Sequence, residues 1–123
     1  MQRILIVDDS KVIRLAIRRI VESLGFAADE AADGQQALDY CHTSGPPDAI
    51  ILDIIMPVMD GLSFLRAARQ DQQLKECVVI VCSTKNSMPE LQEAVACGAN
   101  EYIMKPFTQE ILEDKFRLVG LLK

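Results

Sequence analysis

Four short apolar runs in this chain each end in a residue able to do chemistry. Ile4-Leu5-Ile6-Val7 leads into Asp8-Asp9, and Ala49-Ile50-Ile51-Leu52 leads into Asp53. Val78-Val79-Ile80-Val81-Cys82 leads into Ser83-Thr84, and Tyr102-Ile103-Met104 leads into Lys105-Pro106. A lone aspartate after a strand is ordinarily a turn former or a helix cap. The adjacent pair Asp8-Asp9 is different, because two neighbouring carboxylates repel unless a cation is near. Asp53 adds a third like charge, and burying three without compensation is costly. A hard divalent cation with oxygen ligands resolves the conflict, and Mg2+ needs only one or two carboxylates plus substrate oxygens. Lys105 brings a positive charge that can pair with Asp53 or with a phosphoryl oxygen. Ser83 and Thr84 bring hydroxyls. The set suits a metal-assisted phosphoryl reaction on a carboxylate.

That chemistry requires the four endings to share one edge. The runs are short and β-branched, which predicts buried strands. Between them lie segments of helical period. Over residues 11–24, Ile13, Ile17, Ile20 and Leu24 line one face, and Lys11, Arg14, Arg18 and Glu22 line a solvated one, with Gly25 as the stop. A weaker strand is predicted at about 27–31, then a turn at Asp33-Gly34, a helix over 35–43 and a loop at Ser44-Gly45-Pro46-Pro47. The loop Pro57-Val58-Met59-Asp60-Gly61 precedes a helix through about Gln70. Ser87 and Glu90 form a capping-box pattern opening a helix that ends near Gly98. The last helix runs from about Thr108 to 119, with Leu112, Phe116 and Val119 as its core stripe. A strand-helix alternation repeated five times predicts a doubly wound α/β fold with a parallel sheet and helices on both faces. In such a fold, ligands bind outside the carboxyl ends of the strands.

Composition is consistent with one domain spanning residues 1–123, half of them hydrophobic. A net charge of −5 argues against a nucleic-acid surface. Cys41, Cys77, Cys82 and Cys97 contain no C-x-x-C pair, and a reduced, cytoplasmic setting fits them. The single His42 is expected on a helix surface and cannot build a histidine metal site. No stretch reads as a signal peptide or a membrane span, so no membrane association is expected.

The motifs at the strand ends resemble those of a response-regulator receiver domain. The resemblance rests on Ile4 to Ser10, on Leu52-Asp53-Ile54-Ile55-Met56-Pro57 with Asp60-Gly61, on Ser83, and on Lys105-Pro106-Phe107. It covers essentially the whole chain. It implies a flavodoxin-like five-stranded parallel sheet in the order 2-1-3-4-5, with five helices. It also implies that Asp53 accepts a phosphoryl group from a histidine kinase or a histidine phosphotransfer protein. Asp9, Asp53 and the backbone carbonyl of Ile55 would bind Mg2+ directly, and Asp8 mainly through water. Lys105 would contact the phosphoryl group, with Ser83 and Thr84 as neighbouring hydroxyls. Ser83 would move inward, Tyr102 would change rotamer, and the Lys105–Pro106 peptide would be cis. The readout would be protein binding on the face of the fourth helix, fifth strand and fifth helix.

A full switch requires a differential of roughly 5.5 kcal/mol. Two or three charge-assisted bonds at about 1.5–3 kcal/mol each would reach it. The closing stretch, with Leu112, Glu113 and Lys115, is similar to the chemotaxis subgroup, which implies a flagellar motor switch as target. A phosphate sink or a relay intermediate is the alternative output. Without an output domain, DNA binding is not expected. Three positions depart from the common pattern: Ile55, Thr84 and Lys85. An apolar side chain at Ile55 cannot orient an attacking water, which predicts slow self-dephosphorylation.

Two other classes fit less well. An aspartyl-nucleophile phosphatase of the haloacid-dehalogenase type would want a second Asp where Ile55 stands, together with a cap domain. A flavin-binding domain would want a phosphate-cradling loop after the first strand, where Asp8-Asp9 would repel a phosphate.

Overall fold

The structure is a computed structural model describing residues 2–84 and 88–123. Its strands are β1 (Arg3–Val7), β2 (Ala27–Ala31), β3 (Ala49–Asp53), β4 (Val78–Ser83) and β5 (Glu101–Met104). Its helices are α1 (Lys11–Ser23), α2 (Gly34–Ser44), α3 (Gly61–Gln70), α4 (Met88–Ala96) and α5 (Gln109–Leu118). All strand pairings are parallel, in the order β2-β1-β3-β4-β5. The expected flavodoxin-like topology and the expected element order are both present. The cap expected at Ser87 and the rim residue Lys85 lie outside the described residues.

The three central strands are buried on both faces, and period-2 alternation splits their side chains into two layers. Leu5, Val7, Ile50, Leu52, Val79 and Val81 enter the layer under α2, α3 and α4. Ile4, Ile6, Ala49, Ile51, Ile80 and Cys82 enter the layer under α1 and α5. There, Phe26 and Phe116 meet edge to face at 5.2 Å. The edge strands β2 and β5 carry polar residues at positions that leave the core, which suits strands with one unpaired side.

Two details of the helices differ from the expected pattern. In α1 the deeply buried residues are Ile17 and Val21, whereas Ile13, Ile20 and Leu24 are only partly covered. The predicted stripe faces the core, Val21 is buried along with it, and Arg14 beside Val21 is sheltered instead of solvated. In α5, Leu112 and Phe116 are fully buried, and Val119 is the C-cap, packed at the margin.

The loops at the carboxyl edge are held by side-chain caps. Ser10, Asp33, Asp60 and Thr108 each accept a hydrogen bond from the backbone N–H three residues on. Each cap contributes about 1 kcal/mol. Gly61 is tied most closely. Its N–H donates to the Ile54 carbonyl at 2.7 Å, seating the first turn of α3 against the end of β3. Gly25, at φ +95°, supplies the left-handed residue that ends α1.

Candidate functional site

Strand parity decides which side chains meet at this edge. Asp8 falls in step with Ile4 and Ile6, Asp53 with Ala49 and Ile51, and Lys105 with Ile103. All three therefore leave the sheet toward the α1–α5 layer. The ladders continue into the site, because the Asp8 N–H donates to the Ala31 carbonyl at 3.1 Å and the Lys105 N–H to the Ser83 carbonyl at 2.7 Å. The backbone beneath the site is thus as firmly held as the strands.

Carboxylate oxygens of Asp8, Asp9 and Asp53 lie within 4.8 Å of one another. Asp8 is buried, Asp53 is partly covered and Asp9 is exposed. The Lys105 ammonium donates to Asp8 Oδ2 at 2.7 Å and sits 3.2 Å from Asp53 Oδ1. Sequence alone pointed to Asp53 as its resting partner; Asp8 is in fact the closer one. The other oxygen of Asp8 accepts from the Ser10 N–H at 2.9 Å. Burial pushes the Asp53 carboxyl above the ordinary carboxylate range, Lys105 opposes this, and Asp8 and Asp9 add to it. For Lys105, burial alone would lower the pKa. The hydrogen bond to Asp8 and the attraction of Asp53 outweigh burial and hold the ammonium above its usual value. Burial pushes the Cys82 thiol up, so this neighbour of Asp53 stays protonated.

Three hard oxygen donors around one lysine fit a small divalent cation. Asp53 and Asp9 are the carboxylates with oxygens to spare, since both oxygens of Asp8 are already engaged by the protein. The Ile55 residue follows in the same loop, with a side chain 59% exposed at the rim.

Ser83 is not drawn into this cluster. It has the parity of Val79 and Val81 and stands in register with Met104, which packs against the opposite layer. Its buried hydroxyl donates to the Thr84 carbonyl at 2.9 Å. Thr84 is exposed and, with Lys105, borders an apolar groove of about 430 Å³ between α1 and the loop after β5. The Lys105–Pro106 peptide is cis, as expected. Tyr102 is 43% exposed on β5, with the Lys115 ammonium 4.8 Å from its ring centroid and hydrogen-bonded to Glu101 at 2.9 Å. Tyr102 also lines a smaller groove with Met88, Leu91 and Val95 of α4.

Two contributors were missed from sequence. Arg14 reaches over the first loop and donates to the Asp8 carbonyl at 2.6 Å. Its position five residues after Asp9, one turn into a helix that starts at the site, was the available signal. Gly61 is the other, and the chain order Asp60-Gly61 ahead of a helix gave only a turn.

Comparison with known proteins agrees with this geometry. Residues 4–117 match the response regulator receiver domain family. The chain is 38% identical over 118 residues to the chemotaxis protein CheY of Pseudomonas aeruginosa, covering 95% of this chain and 94% of that protein. The chemotaxis protein CheY4 of Vibrio cholerae superimposes with a TM-score of 0.86 at 35% identity, over 95% of this chain and 97% of the other. The receiver domain of a Pseudomonas aeruginosa sensor histidine kinase, with magnesium coordinated in its active site cleft, superimposes with a TM-score of 0.87 at 30% identity, over 97% and 98%. This chain belongs to the response-regulator receiver domains, the phospho-accepting switches of two-component signalling.

Proposed function

We propose that this chain takes a phosphoryl group on Asp53 from a phosphohistidine and signals by binding a protein partner in that state. The observation that carries the proposal is Asp53 held beside Lys105 within the acidic cluster at the carboxyl edge. A carboxylate oxygen of Asp53 forms the new bond to phosphorus as the phosphorus–nitrogen bond of the donor breaks, and the imidazole leaves with a proton from solvent. Lys105 faces the incoming charge. Asp9, Asp53 and the Ile55 carbonyl are the groups to hold Mg2+, with Asp8 acting through water. When bound, Mg2+ supplies positive charge against the phosphoryl oxygens.

Ser83 then exchanges the Thr84 carbonyl for a phosphoryl oxygen, with Thr84 alongside. Tyr102 responds on the α4-β5-α5 face, where the exposed side chains of Met88, Val95 and Ile111 also lie. Among the described residues, no helix is long and apolar enough to cross a membrane. A cytoplasmic setting accords with the four free cysteines.

The test is incubation with acetyl phosphate and Mg2+ followed by intact-mass measurement. One phosphoryl adduct is expected on the native chain, and none with Asp53→Ala or with excess chelator. Retention of a full adduct by Asp53→Ala overturns the assignment.

The similarity to CheY proteins supports a chemotaxis output on the flagellar motor switch. The equally good superposition on a receiver from a histidine kinase supports a second reading, a relay or phosphate sink feeding a histidine phosphotransfer protein. Capture with beryllofluoride-loaded protein, using Asp53→Ala as control, separates them. Recovery of a motor-switch protein supports the first, and recovery of only a phosphotransfer protein supports the second.

The rim adds a kinetic expectation. Ile55 is apolar and exposed, so it offers an attacking water no hydrogen bond. Ile55→Asn is expected to speed loss of the phosphoryl group several-fold, measured as decay of the adduct after donor removal. An unchanged or slower decay refutes this role for Ile55.

A further inference from the structure

The Asp9 side chain makes no hydrogen bond among the described residues, although it stands in the acidic cluster. The origin and Cα–Cβ direction of this side chain are therefore set by its backbone, and above all by the peptide plane joining Asp8 to Asp9. The N–H of Asp8 is tied to Ala31 of β2 at 3.1 Å. Its carbonyl, which belongs to the Asp8–Asp9 peptide, accepts from Arg14 Nη1 at 2.6 Å. The same guanidinium donates through Nε to Glu30 Oε1 at 2.9 Å, and Glu30 Oε2 accepts from Arg18 Nε at 2.8 Å. The Arg14 side chain is 15% exposed and that of Glu30 is 28% exposed, so the pair is sheltered rather than dangling in solvent. Glu30 directly precedes Ala31, so the edge strand grips Asp8 twice, once by its backbone and once through Arg14.

We propose that Arg14, oriented by Glu30, is a positioning residue for the metal site: it locks the Asp8–Asp9 peptide plane and so aims Asp9. The inference rests on the metal reading given above. Arginine suits the task because its planar fork serves two acceptors at a fixed angle, which a lysine ammonium does not. Outer groups that orient ligands typically change metal affinity by 10–100-fold when removed.

Geometry and charge make opposite forecasts. If Arg14 acted only as a nearby positive charge, its removal would tighten binding of a cation. If it fixes the peptide plane, its removal weakens binding. The experiment is calorimetric titration of unphosphorylated protein with MgCl2, with circular dichroism to confirm folding. Arg14→Gln is expected to weaken Mg2+ binding by about 10-fold. Arg14→Lys, which keeps the charge and one donor, is expected to fall between. Glu30→Gln is expected to weaken binding less than Arg14→Gln, and the double variant to be no worse than Arg14→Gln alone. Mg2+ affinity in Arg14→Gln equal to or tighter than native overturns the proposal. So does a melting temperature that falls in Arg14→Lys or Glu30→Gln with no change in affinity, since that marks a purely structural strut. A native protein that binds no Mg2+ overturns the metal reading itself, and this inference with it.

Discussion

Lys105→Met is expected to lower stability by about 3 kcal/mol at neutral pH, because it leaves carboxylates at this edge without their ammonium. Asp8 has only 3% of its side chain exposed and Asp53 13%, so water replaces little of the lost charge. At roughly 4 °C per kcal/mol for a domain of this size, the melting temperature should fall on the order of 10 °C. The pH dependence has a definite sign. The Asp53 carboxyl is raised in the folded state, so its ionised form opposes folding, and that cost disappears as pH falls through the carboxylate range. Removing Lys105 removes a force that opposes the rise. The gap between variant and native protein should therefore narrow in acid. Saturating Mg2+ should restore part of the loss, by about 2.7 kcal/mol at a hundredfold excess over the dissociation constant. Equal melting temperatures of variant and native protein at neutral pH would contradict this account of the cluster.

Gly61→Ala is expected to be comparably damaging, by a route that involves no charge. A Cβ at this position would lie 2.3 Å from the Asp53 carbonyl oxygen and 2.7 Å from the Ile54 Cα. These are backbone atoms at the end of a central strand and cannot rotate aside. Relief requires α3 to back away from β3, breaking the 2.7 Å bond from Gly61 to Ile54. Overpacking of this kind costs about 1–3 kcal/mol and occasionally more. Because the clash falls on Asp53 itself, phosphorylation by acetyl phosphate should slow even where the variant is fully folded. Gly25→Ala is the useful contrast. Its Cβ meets nothing within 4 Å, and only its φ of +95° opposes the change. Chemical denaturation of both variants tests the comparison. Gly61→Ala as mild as Gly25→Ala would show that the first turn of α3 yields easily.

The central strands and the acid cluster were legible because both follow from parity and charge. Ile4, Ile6 and Asp8 share one parity, as do Ala49, Ile51 and Asp53, and as do Ile103 and Lys105. Counting by twos from the buried residues puts the three polar ends on one side of the sheet. The same count puts Ser83 on the other side, with Val79 and Val81, so its hydroxyl rests away from the acid cluster and would have to turn to reach a phosphoryl group. The sheltered position of Arg14 on α1 was not legible. The stripe Ile13-Ile17-Ile20-Leu24 packs on the core, but Val21 is buried with it, which widens the covered face toward Arg14. At that margin Arg14 comes over the first loop. The role of Gly61 was equally hidden, because it depends on how closely α3 approaches β3 and not on any local pattern.

The expected switching energy also changes once resting partners are known. Charge-assisted bonds to a phosphoryl group would count in full only if their donors were idle beforehand. Ser83 already donates to the Thr84 carbonyl, and Lys105 already serves Asp8 and Asp53. Surrendering a neutral hydrogen bond of about 1 kcal/mol to gain one of about 1.5–3 kcal/mol leaves roughly 0.5–2 kcal/mol per exchange. Ser83 alone therefore falls short of the roughly 5.5 kcal/mol that separates a mostly-off from a mostly-on population. On the proposed function, the Ser83 exchange by itself would move the population only part of the way. A tight-binding partner would then supply the rest of the bias.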